Sequence, residues 1–348
     1  MKSAISQRAR ELGFDDCRFT TAAPPASGRQ LETWLAAGQH GEMTWLARNA
    51  EKRLRPQLVL PGARSVIVLA VNYFDASAAA ATSLHPGPAP RGFVARYARH
   101  ADYHDVLGKR LKALTESVNQ LGGADTRSLW YVDTGPILER DFAQRAGLGF
   151  IGKHTNLISR RHGNWLLLAE ILTTLELAPD PPERNHCGTC TRCLVACPTG
   201  AITAPFQLDA RRCVSYLTIE LKGSLPLPLR PAIGNRIFGC DDCLAACPWN
   251  RFARAAGLLR AFAQPALATP DLLELLALDD AGFKTRFHGT PLLRTKRRGL
   301  LRNVCVALGN IGDRRALPGL SVATTDTEPL IQEHAAWAVG RIENITRA

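Results

Sequence analysis

Two cysteine-rich runs near the middle of the chain determine its architecture: Cys187-Gly-Thr-Cys190-Thr-Arg-Cys193-Leu-Val-Ala-Cys197-Pro198 and Cys240-Asp-Asp-Cys243-Leu-Ala-Ala-Cys247-Pro248. The first run has the C-x₂-C-x₂-C-x₃-C-P spacing of bacterial ferredoxins, which bind [4Fe–4S] clusters through four thiolates each. The second run lacks its leading cysteine, and Cys213, which lies between the runs, can supply the missing thiolate. The pattern therefore predicts two [4Fe–4S] clusters and a protein that moves electrons one at a time.

The fourth cysteine of each run is expected to cross to the other cluster, as it does in two-cluster ferredoxins. The first ligand set predicted by this rule is Cys187, Cys190, Cys193 and Cys247. The second ligand set is Cys213, Cys240, Cys243 and Cys197. Structural zinc sites also use C-x₂-C pairs, but zinc explains neither the third cysteine of each run nor the proline after the fourth. Disulfides fit these spacings less well than metal does. The remaining cysteines, Cys17 and Cys305, are predicted to be packing residues.

The composition is that of an ordinary globular protein with a basic balance. The chain has 348 residues, 46% of them hydrophobic and 21% charged, and a formal net charge of +12. We expect no signal peptide and no membrane span, because the N-terminal residues lack an apolar core segment and no apolar run is long enough. Cysteine-ligated clusters in an unexported chain indicate the reducing cytoplasm.

Three regions follow from the patterns along the chain. Residues 1 to about 180 read as an α/β domain, with strands predicted at Val66–Val71, Leu129–Val132 and Trp165–Ile171 and a helix around Tyr103 to Leu121. The Ala/Pro-rich segment Asp75 to Pro90 is predicted to be a mobile loop. Residues 181–254 form the loop-rich cluster region, in which the clusters should also act as structural links.

Residues 255–348 are predicted to be helical. The segment Asn303–Ile311 aligns with His334–Ile342, as in stacked helix pairs of the HEAT type. A basic stretch stands at the start of this repeat and contains Arg294, Lys296, Arg297, Arg298 and Arg302. It is either a solvated helix face or, as we favour, a surface that neutralises nucleic-acid phosphates.

The candidate catalytic chemistry of the first domain centres on Leu129-Trp-Tyr-Val-Asp133-Thr-Gly-Pro136. A strand is predicted to end at Asp133 and a helix to open at Pro136. In open α/β sheets ligands bind at the carboxyl ends of the strands, so Asp133 is either a helix-capping residue or a catalytic acid. No dinucleotide or P-loop motif is present. The stretch around His104 nearly matches a cobalt-ligating histidine motif but has one residue too many, so His104 is predicted not to bind cobalt.

Taken together, these residues resemble the epoxyqueuosine reductase family. The resemblance covers nearly the whole chain and rests on a set of short blocks beside the two cysteine runs: Arg53-Leu-Arg55-Pro56, Leu60-Pro-Gly62, Tyr97 to Asp105, Val132-Asp-Thr-Gly-Pro136, Gly149-Phe-Ile-Gly-Lys153, and Ser215-Tyr-Leu-Thr-Ile-Glu220. It implies an α+β multidomain fold with a nitroreductase-like α/β cobalamin domain (1–180), a bacterial-ferredoxin-like two-cluster domain (181–254) and a C-terminal α-helical HEAT-like domain (255–348).

The resemblance also implies an activity, namely reduction of epoxyqueuosine to queuosine at the wobble position of tRNA with cobalamin and two [4Fe–4S] clusters. Asp133 would be the proton donor, and burial beside the corrin ring would keep its carboxyl protonated. The implied cobalamin contacts are Arg55, Tyr97, Asp133, His154, Leu157, Leu168, Ile171, Asp241 and Asp242. Implied tRNA contacts are Ser215 and Lys222, beside the basic residues Arg294, Lys296, Arg297 and Arg298. The other expected partner is an electron donor of flavodoxin or ferredoxin type, and we expect a monomer.

Two other functions use part of the same chemistry. A reductive dehalogenase shares the cofactors, but the basic tail and the absence of a leader argue against it. A ferredoxin-like electron carrier with a protein-binding helical tail would leave the N-terminal region without a function.

Overall fold

The structure is a computed structural model that describes residues 1–75 and 89–345, so most of the predicted loop Asp75 to Pro90 lies outside it. The strands are β1 (Asp16–Thr21), β2 (Ser65–Asn72), β3 (Phe93–Val94), β4 (Ser128–Tyr131), β5 (Phe150–Ile151), β6 (Leu157–Ile158), β7 (Leu166–Thr173), β8 (Ile202–Ala204), β9 (Gln207–Leu208) and β10 (Arg236–Phe238). The first α-helices are α1 (Lys2–Glu11), α2 (Gly28–Ala36), α3 (Thr44–Arg48), α4 (Ala50–Leu54), α5 (Tyr103–Gly122), α6 (Glu139–Arg145) and α7 (Arg192–Ala196).

The later α-helices are α8 (Val214–Ile219), α9 (Arg230–Ile233), α10 (Asp242–Ala245), α11 (Leu272–Leu276), α12 (Asp280–Phe287), α13 (Lys296–Ile311), α14 (Leu317–Ala323) and α15 (Pro329–Ile345). Short 3₁₀ helices include Pro56–Leu58, Arg96–Ala98, Ala210–Arg212, Leu227–Leu229, Pro248–Phe252, Leu258–Phe262, Pro265–Leu267, Pro291–Thr295 and Arg314–Ala316. Across the described residues, none of the helices combines the length and apolarity that crossing a membrane would require.

A four-stranded sheet in the order β1-β2-β7-β4 organises the N-terminal region. Every neighbouring pair in it is antiparallel. The predicted strands and the long helix α5 are confirmed. The expectation that ligands bind at the carboxyl ends of parallel strands does not apply to this antiparallel sheet. The reason is that β2 and β4 run in the same direction but lie on either side of β7, so no two adjacent strands of this sheet are parallel.

Both faces of the sheet are covered, which explains the unbroken apolar run of β2. Ile67 and Leu69 pack with α1 and α5 on one face, while Val66 and Val68 pack with Phe142 of α6 on the other. Alternate residues of a strand point to opposite faces, so a central strand covered on both sides is apolar throughout. Helix α5 starts where the Asp102 carboxylate accepts a hydrogen bond from the His104 N–H at 3.0 Å.

The chain between β4 and α6 differs from its prediction. The strand ends at Tyr131, not at Asp133, and the helix begins at Glu139, not at Pro136. Asp133 has φ 58°, a left-handed conformation that interrupts an extended strand. Residues 132–138 therefore form a separate loop, which we call the Asp133 loop.

The cluster region contains only short elements, as its composition predicts. Its strand β10 pairs in parallel with β3, which fastens the region to the N-terminal half of the chain. The helices within the two cysteine runs, α7 and α10, contact each other.

The C-terminal helices pack around one apolar core and against the cluster region. The two repeated segments lie on α13 and α15, which are in contact. A Cβ atom at Gly309 would lie 3.0 Å from Ala338 Cα, so small residues allow this close packing. The side chain of Arg302, predicted as part of the basic surface, is instead buried and donates to the backbone oxygens of Leu217, Leu221 and Gly223.

Candidate cluster sites and catalytic loop

The cysteines of the first predicted ligand set line one cavity. Cys187, Cys190, Cys193 and Cys247 face it together with Lys153, His154, Ile158, Pro248 and Trp249. The Lys153 N–H donates to Cys187 Sγ at 3.4 Å. Such N–H···S contacts stabilise thiolate charge, so the donor set suits a cysteine-ligated cluster.

The second predicted set also comes together. Cys243 lies within electrostatic reach of Cys240, Cys213 and Cys197. The Ala201 N–H donates to Cys197 Sγ at 3.2 Å. Each set contains the last cysteine of the other run, and all of these thiols are free of disulfides.

Cys17 and Cys305 stand apart from both sets. Cys305 is completely buried in the C-terminal core. Burial raises the pKa of each of these two thiols to about 12, which is the behaviour of packing residues.

The Asp133 side chain is exposed and held by its neighbours. Tyr103 Oη donates to Asp133 Oδ2 at 2.6 Å, and the Asp133 N–H donates to Glu139 Oε1 at 2.9 Å. Arg53 is buried and donates through Nη1 to the Gly135 carbonyl at 3.0 Å. The protein alone does not bury the Asp133 carboxyl, so any burial has to come from a bound partner.

Two further carboxyl groups lie near this loop, and no pattern in the sequence assigned them a role there. Desolvation, followed by the nearby Asp133 carboxylate, raises the pKa of Glu139 well above its usual range. Glu170 of β7 is completely buried, and burial raises its pKa too, with added repulsion from Glu139 and Asp133. Glu139 is the first residue of α6 and faces the Asp133 loop. A charged residue inside an apolar strand was the available signal for Glu170.

The Asp133 loop and the second cysteine set are neighbours. The rings of Tyr97 and Tyr103 meet edge to face with centroids 6.0 Å apart. Tyr97 lies within electrostatic reach of Asp133 and Asp241, and Asp241 in turn within reach of Cys243. The second cysteine set and the Asp133 carboxyl therefore lie in the same part of the molecule, with Tyr97 and Tyr103 between them.

Several predicted cobalamin contacts lie at or near this group. Desolvation raises the pKa of the buried Asp241 carboxyl to about 6, and one of its oxygens accepts from the Arg96 N–H at 2.8 Å. Asp242 pairs with Arg236 at 2.6 Å. Leu168 lies on β7, two residues before Glu170, which pairs with Tyr131 at the end of β4. Leu168 is half-buried at the edge of the core.

The remaining predicted cobalamin contacts lie in different surroundings. His154 is buried with Nε2 3.0 Å from Asn164 Oδ1, and desolvation lowers its pKa to about 4. Leu157 is also buried. Arg55 is exposed and pairs with Glu51. Ile171 is 0% exposed in the core on the opposite face of the sheet, so the structure does not bring its side chain to the site.

The predicted tRNA residues divide into two kinds. Arg294, Lys296 and Arg298 are exposed, as is Lys222, and Ser215 is half-buried. Arg294 lies within electrostatic reach of Asp133 and Tyr103 and pairs with Glu220 at 2.8 Å. Arg297 is different, because its side chain is 13% exposed and is held by Asp326. His104 contacts Asp102 through Nδ1 at 2.7 Å and stacks on Tyr103.

Comparison with known proteins agrees with this arrangement. A family model described as "4Fe-4S double cluster binding domain" matches residues 186–250, and one described as "Epoxyqueuosine reductase QueG, DUF1730" matches residues 53–134. The chain is 44% identical to the epoxyqueuosine reductase of Xanthomonas campestris pv. campestris, over 97% of this chain and 95% of that protein.

Solved structures agree as well. A crystal structure of an epoxyqueuosine reductase with an epoxyqueuosine-modified tRNA-Tyr stem loop superposes with a TM-score of 0.87 and 35% identity, covering 98% of this chain and 90% of that chain. A Bacillus subtilis epoxyqueuosine reductase, whose aspartate-bearing catalytic loop is swung out of the active site, gives a TM-score of 0.86 at 34% identity with coverage of 98% and 90%. At this identity over nearly its full length, the chain belongs to the epoxyqueuosine reductase family.

Proposed function

We propose that this protein reduces epoxyqueuosine to queuosine at the wobble position of tRNA, using two [4Fe–4S] clusters and cobalamin. The observation that carries the proposal is the Asp133 carboxyl, held by Tyr103 on an exposed loop in the same part of the molecule as the second cysteine set. A proton donor and an electron source thus meet at one place.

The reaction sets what the site must provide. Removing the epoxide oxygen to leave an alkene takes two electrons and two protons, and the oxygen leaves as water. The clusters supply electrons one at a time when they are bound. Asp133 supplies a proton to the departing oxygen as a general acid.

The residues around Asp133 control its position. The Tyr103 hydroxyl fixes one carboxyl oxygen, and Glu139 holds the loop through the Asp133 N–H. Burial, with the nearby Asp133 carboxylate, raises the pKa of Tyr103, so the phenol stays protonated and remains a donor. Closure of the site by bound partners would then bury the Asp133 carboxyl and favour its protonated form.

The surface next to Asp133 suits a large, partly apolar ring. Tyr131, Leu166 and Leu168 remain only partly buried at the edge of the core. The residues we propose to hold cobalamin are Arg55, Tyr97, Asp133, His154, Leu157, Leu168, Asp241 and Asp242. When bound, cobalamin supplies a low-valent cobalt centre that can act on the epoxide.

The tRNA surface is proposed to run from the Asp133 loop over the C-terminal helices. Arg294 is close to the loop, and Lys296 and Arg298 continue the exposed positive charge, with Ser215 and Lys222 nearby. Cations at such positions bind phosphates, and a loop of tRNA offers an unstacked base for the site.

The proposed architecture is a nitroreductase-like domain (1–180), a ferredoxin-like two-cluster domain (181–254) and a HEAT-like helical domain (255–348). The proposed electron donor is of flavodoxin or ferredoxin type. We further propose that the protein is a monomer that acts in the cytoplasm, where its tRNA substrate is found.

The test is the Asp133→Asn variant, purified without air. We expect iron content and the corrinoid absorption spectrum to match those of the wild type, while epoxyqueuosine turnover falls by about 10²-fold or more. Asp125→Asn is the matched control, because Asp125 is an exposed aspartate at the opposite end of β4. Wild-type turnover in Asp133→Asn would remove Asp133 from the mechanism, and a protein without bound corrinoid would reject the cobalamin assignment.

A further inference from the structure

The loop that carries three ligands of the first cysteine set lies at the protein surface. Its exposed residues are Arg184, Asn185, His186, Gly188, Thr189, Thr191, Arg192 and Val195. By contrast, Cys213 is followed by the buried Val214, and Cys240 lies between the buried Phe238 and Asp241. An external electron carrier therefore comes closest to a cluster at the first set.

Two apolar side chains remain exposed beside this loop. Val195 is 84% exposed and lies three residues after Arg192 on α7, so both share one side of the helix. Phe206 is 47% exposed and has φ 67°, a conformation that is unfavourable for an aromatic residue. A strained, exposed aromatic residue points to a functional surface.

Hydrogen bonds tie Phe206 to the cluster loop. The Phe206 N–H donates to the Lys153 carbonyl at 3.0 Å. Lys153 Nζ in turn donates to the carbonyls of Gly188 and Cys190 at 2.8 and 2.9 Å. Phe206 and the first cysteine set thus belong to one connected surface.

The charge on this surface is not compensated. Within residues 1–75 and 89–345, Lys153, Arg184 and Arg192 are in no ion pair with a carboxylate. Glu183 is the one acidic residue in the sequence from 181 to 208, and it pairs with Arg160 and His186. The surface therefore combines cations that lack a carboxylate partner with two exposed apolar side chains, a composition that suits a docking site for an acidic protein.

We propose that Lys153, Arg184, Arg192, Val195 and Phe206 form an electron-docking face for a small acidic electron-carrier protein. The proposal deepens the proposed function and rests on it. Each docked carrier in its reduced form gives up one electron and the adjacent cluster gains it. Two such encounters supply the two electrons that removal of the epoxide oxygen consumes.

The same chemistry could bind RNA, since cations pair with phosphates and an exposed phenyl ring can stack on a base. The protein carrier is favoured because the face surrounds the loop of the first cysteine set, where the residues between the cysteines are exposed. Arg294, which approaches Asp133, lies on the C-terminal region instead.

The test measures cluster reduction in the complete, cluster-loaded protein. Photoreduced flavodoxin serves as the acidic carrier, and bleaching of the cluster absorption is followed by stopped flow at low and high salt. The variants are Arg192→Glu, Val195→Glu and Phe206→Asn, the last chosen because asparagine tolerates a positive φ. Val322→Glu is the matched control, because Val322 is 73% exposed on α14.

We expect Arg192→Glu and Val195→Glu to slow reduction by flavodoxin by about tenfold at low salt, with a smaller difference at high salt. Phe206→Asn should weaken flavodoxin binding, and Val322→Glu should leave both measurements unchanged. Reduction by dithionite should be equal in all variants, which would show that the clusters are intact.

Wild-type rates with flavodoxin in all three variants would overturn the proposal. So would a loss of tRNA stem-loop binding without any change in flavodoxin reduction. Dithionite-driven epoxyqueuosine turnover by the wild type tests the proposed function separately.

Discussion

At the scale of single residues, Glu170 shows how strongly the surroundings set the chemistry of a carboxyl group. It lies on β7 between Val68 of β2 and Tyr131 of β4, with 0% exposure. Neither of its carboxyl oxygens has a hydrogen-bond partner in the described part of the chain. Burial, then the charges of Glu139 and Asp133, raise its pKa well above the usual range. The folded protein therefore favours the protonated form at a pH where the unfolded chain has the ionised one.

This difference predicts a pH dependence of stability. Between the ordinary pKa of a glutamate and the raised value, the folded state binds more protons than the unfolded state, so the free energy of unfolding falls as pH rises. That contribution is fully present below the ordinary pKa. The variant Glu170→Gln lacks this contribution. We therefore expect the free energy of unfolding of the variant, relative to that of the wild type, to rise by about 1–3 kcal/mol between pH 5 and pH 8.

The measurement is denaturant unfolding of air-free protein at both pH values. Glu116→Gln is the control, because Glu116 is an exposed glutamate on α5. Parallel pH dependences in wild type and Glu170→Gln would show that Glu170 does not titrate in this way.

Glu170 and Glu139 also show how far the role of a single residue can be predicted from the sequence. A glutamate inside the apolar run Trp165 to Ile171 is visible in the sequence as an anomaly. The role of Glu139 is not visible, because its contact with the Asp133 N–H depends on a left-handed turn that no pattern in the chain requires.

At the scale of elements, the Asp133 loop is held in place by packing at Gly135. A Cβ atom there would lie 2.8 Å from Tyr131 Cβ and overlap the start of its ring. The Gly135 carbonyl also accepts the bond from buried Arg53. A side chain at this position would force the loop, and the Asp133 carboxyl with it, to move.

We therefore expect Gly135→Ala to lower epoxyqueuosine turnover by about tenfold or more, since small displacements of a catalytic group are costly. Gly340→Ala is the matched control, because a Cβ atom there would meet open space. Iron content and thermal unfolding of both variants should stay close to wild type. Full turnover in Gly135→Ala would show that the loop tolerates the displacement.

Elements differ in how far they can be predicted. The cysteine sets follow from spacing along short loops; the structure places the members of each set near one another, and their assignment to two clusters stays a prediction. The strands are visible as apolar runs, but such runs carry no information about direction, and the sheet is antiparallel. Local patterns therefore predict where the strands lie along the chain. They do not predict strand direction, because direction depends on pairing between distant segments.

At the scale of the whole molecule, buried polar residues of α13 join the C-terminal helices to the cluster region. Asn303 donates to the carbonyls of Thr218 and Ile237, both at 2.8 Å, and Arg302 binds three further carbonyls in the same region. Breaking these contacts would leave several buried polar groups unpaired. The two regions should therefore unfold together.

The same helix shows why the basic stretch could not be assigned residue by residue from sequence. Helical geometry turns successive side chains in different directions. Arg302 is directed into the protein and Arg297 towards Asp326, while Lys296 and Arg298 remain exposed. The net charge of +12 attracts RNA as a whole, but only the exposed cations can release counterions on binding.

This division predicts two separate effects of substitution. Lys296→Glu combined with Arg298→Glu should weaken binding of a tRNA stem loop and reduce the slope of log affinity against log salt by about 2, since two phosphate contacts are lost. Arg297→Ala should leave that slope unchanged and instead lower the thermal midpoint, because it removes the ion pair with Asp326 and the donor to the Leu278 carbonyl. Fluorescence anisotropy across a salt series and thermal unfolding measure the two effects. An unchanged slope in the double variant would make Lys296 and Arg298 a solvated helix face, and a reduced slope in Arg297→Ala would mean that Arg297 exchanges Asp326 for a phosphate when RNA binds.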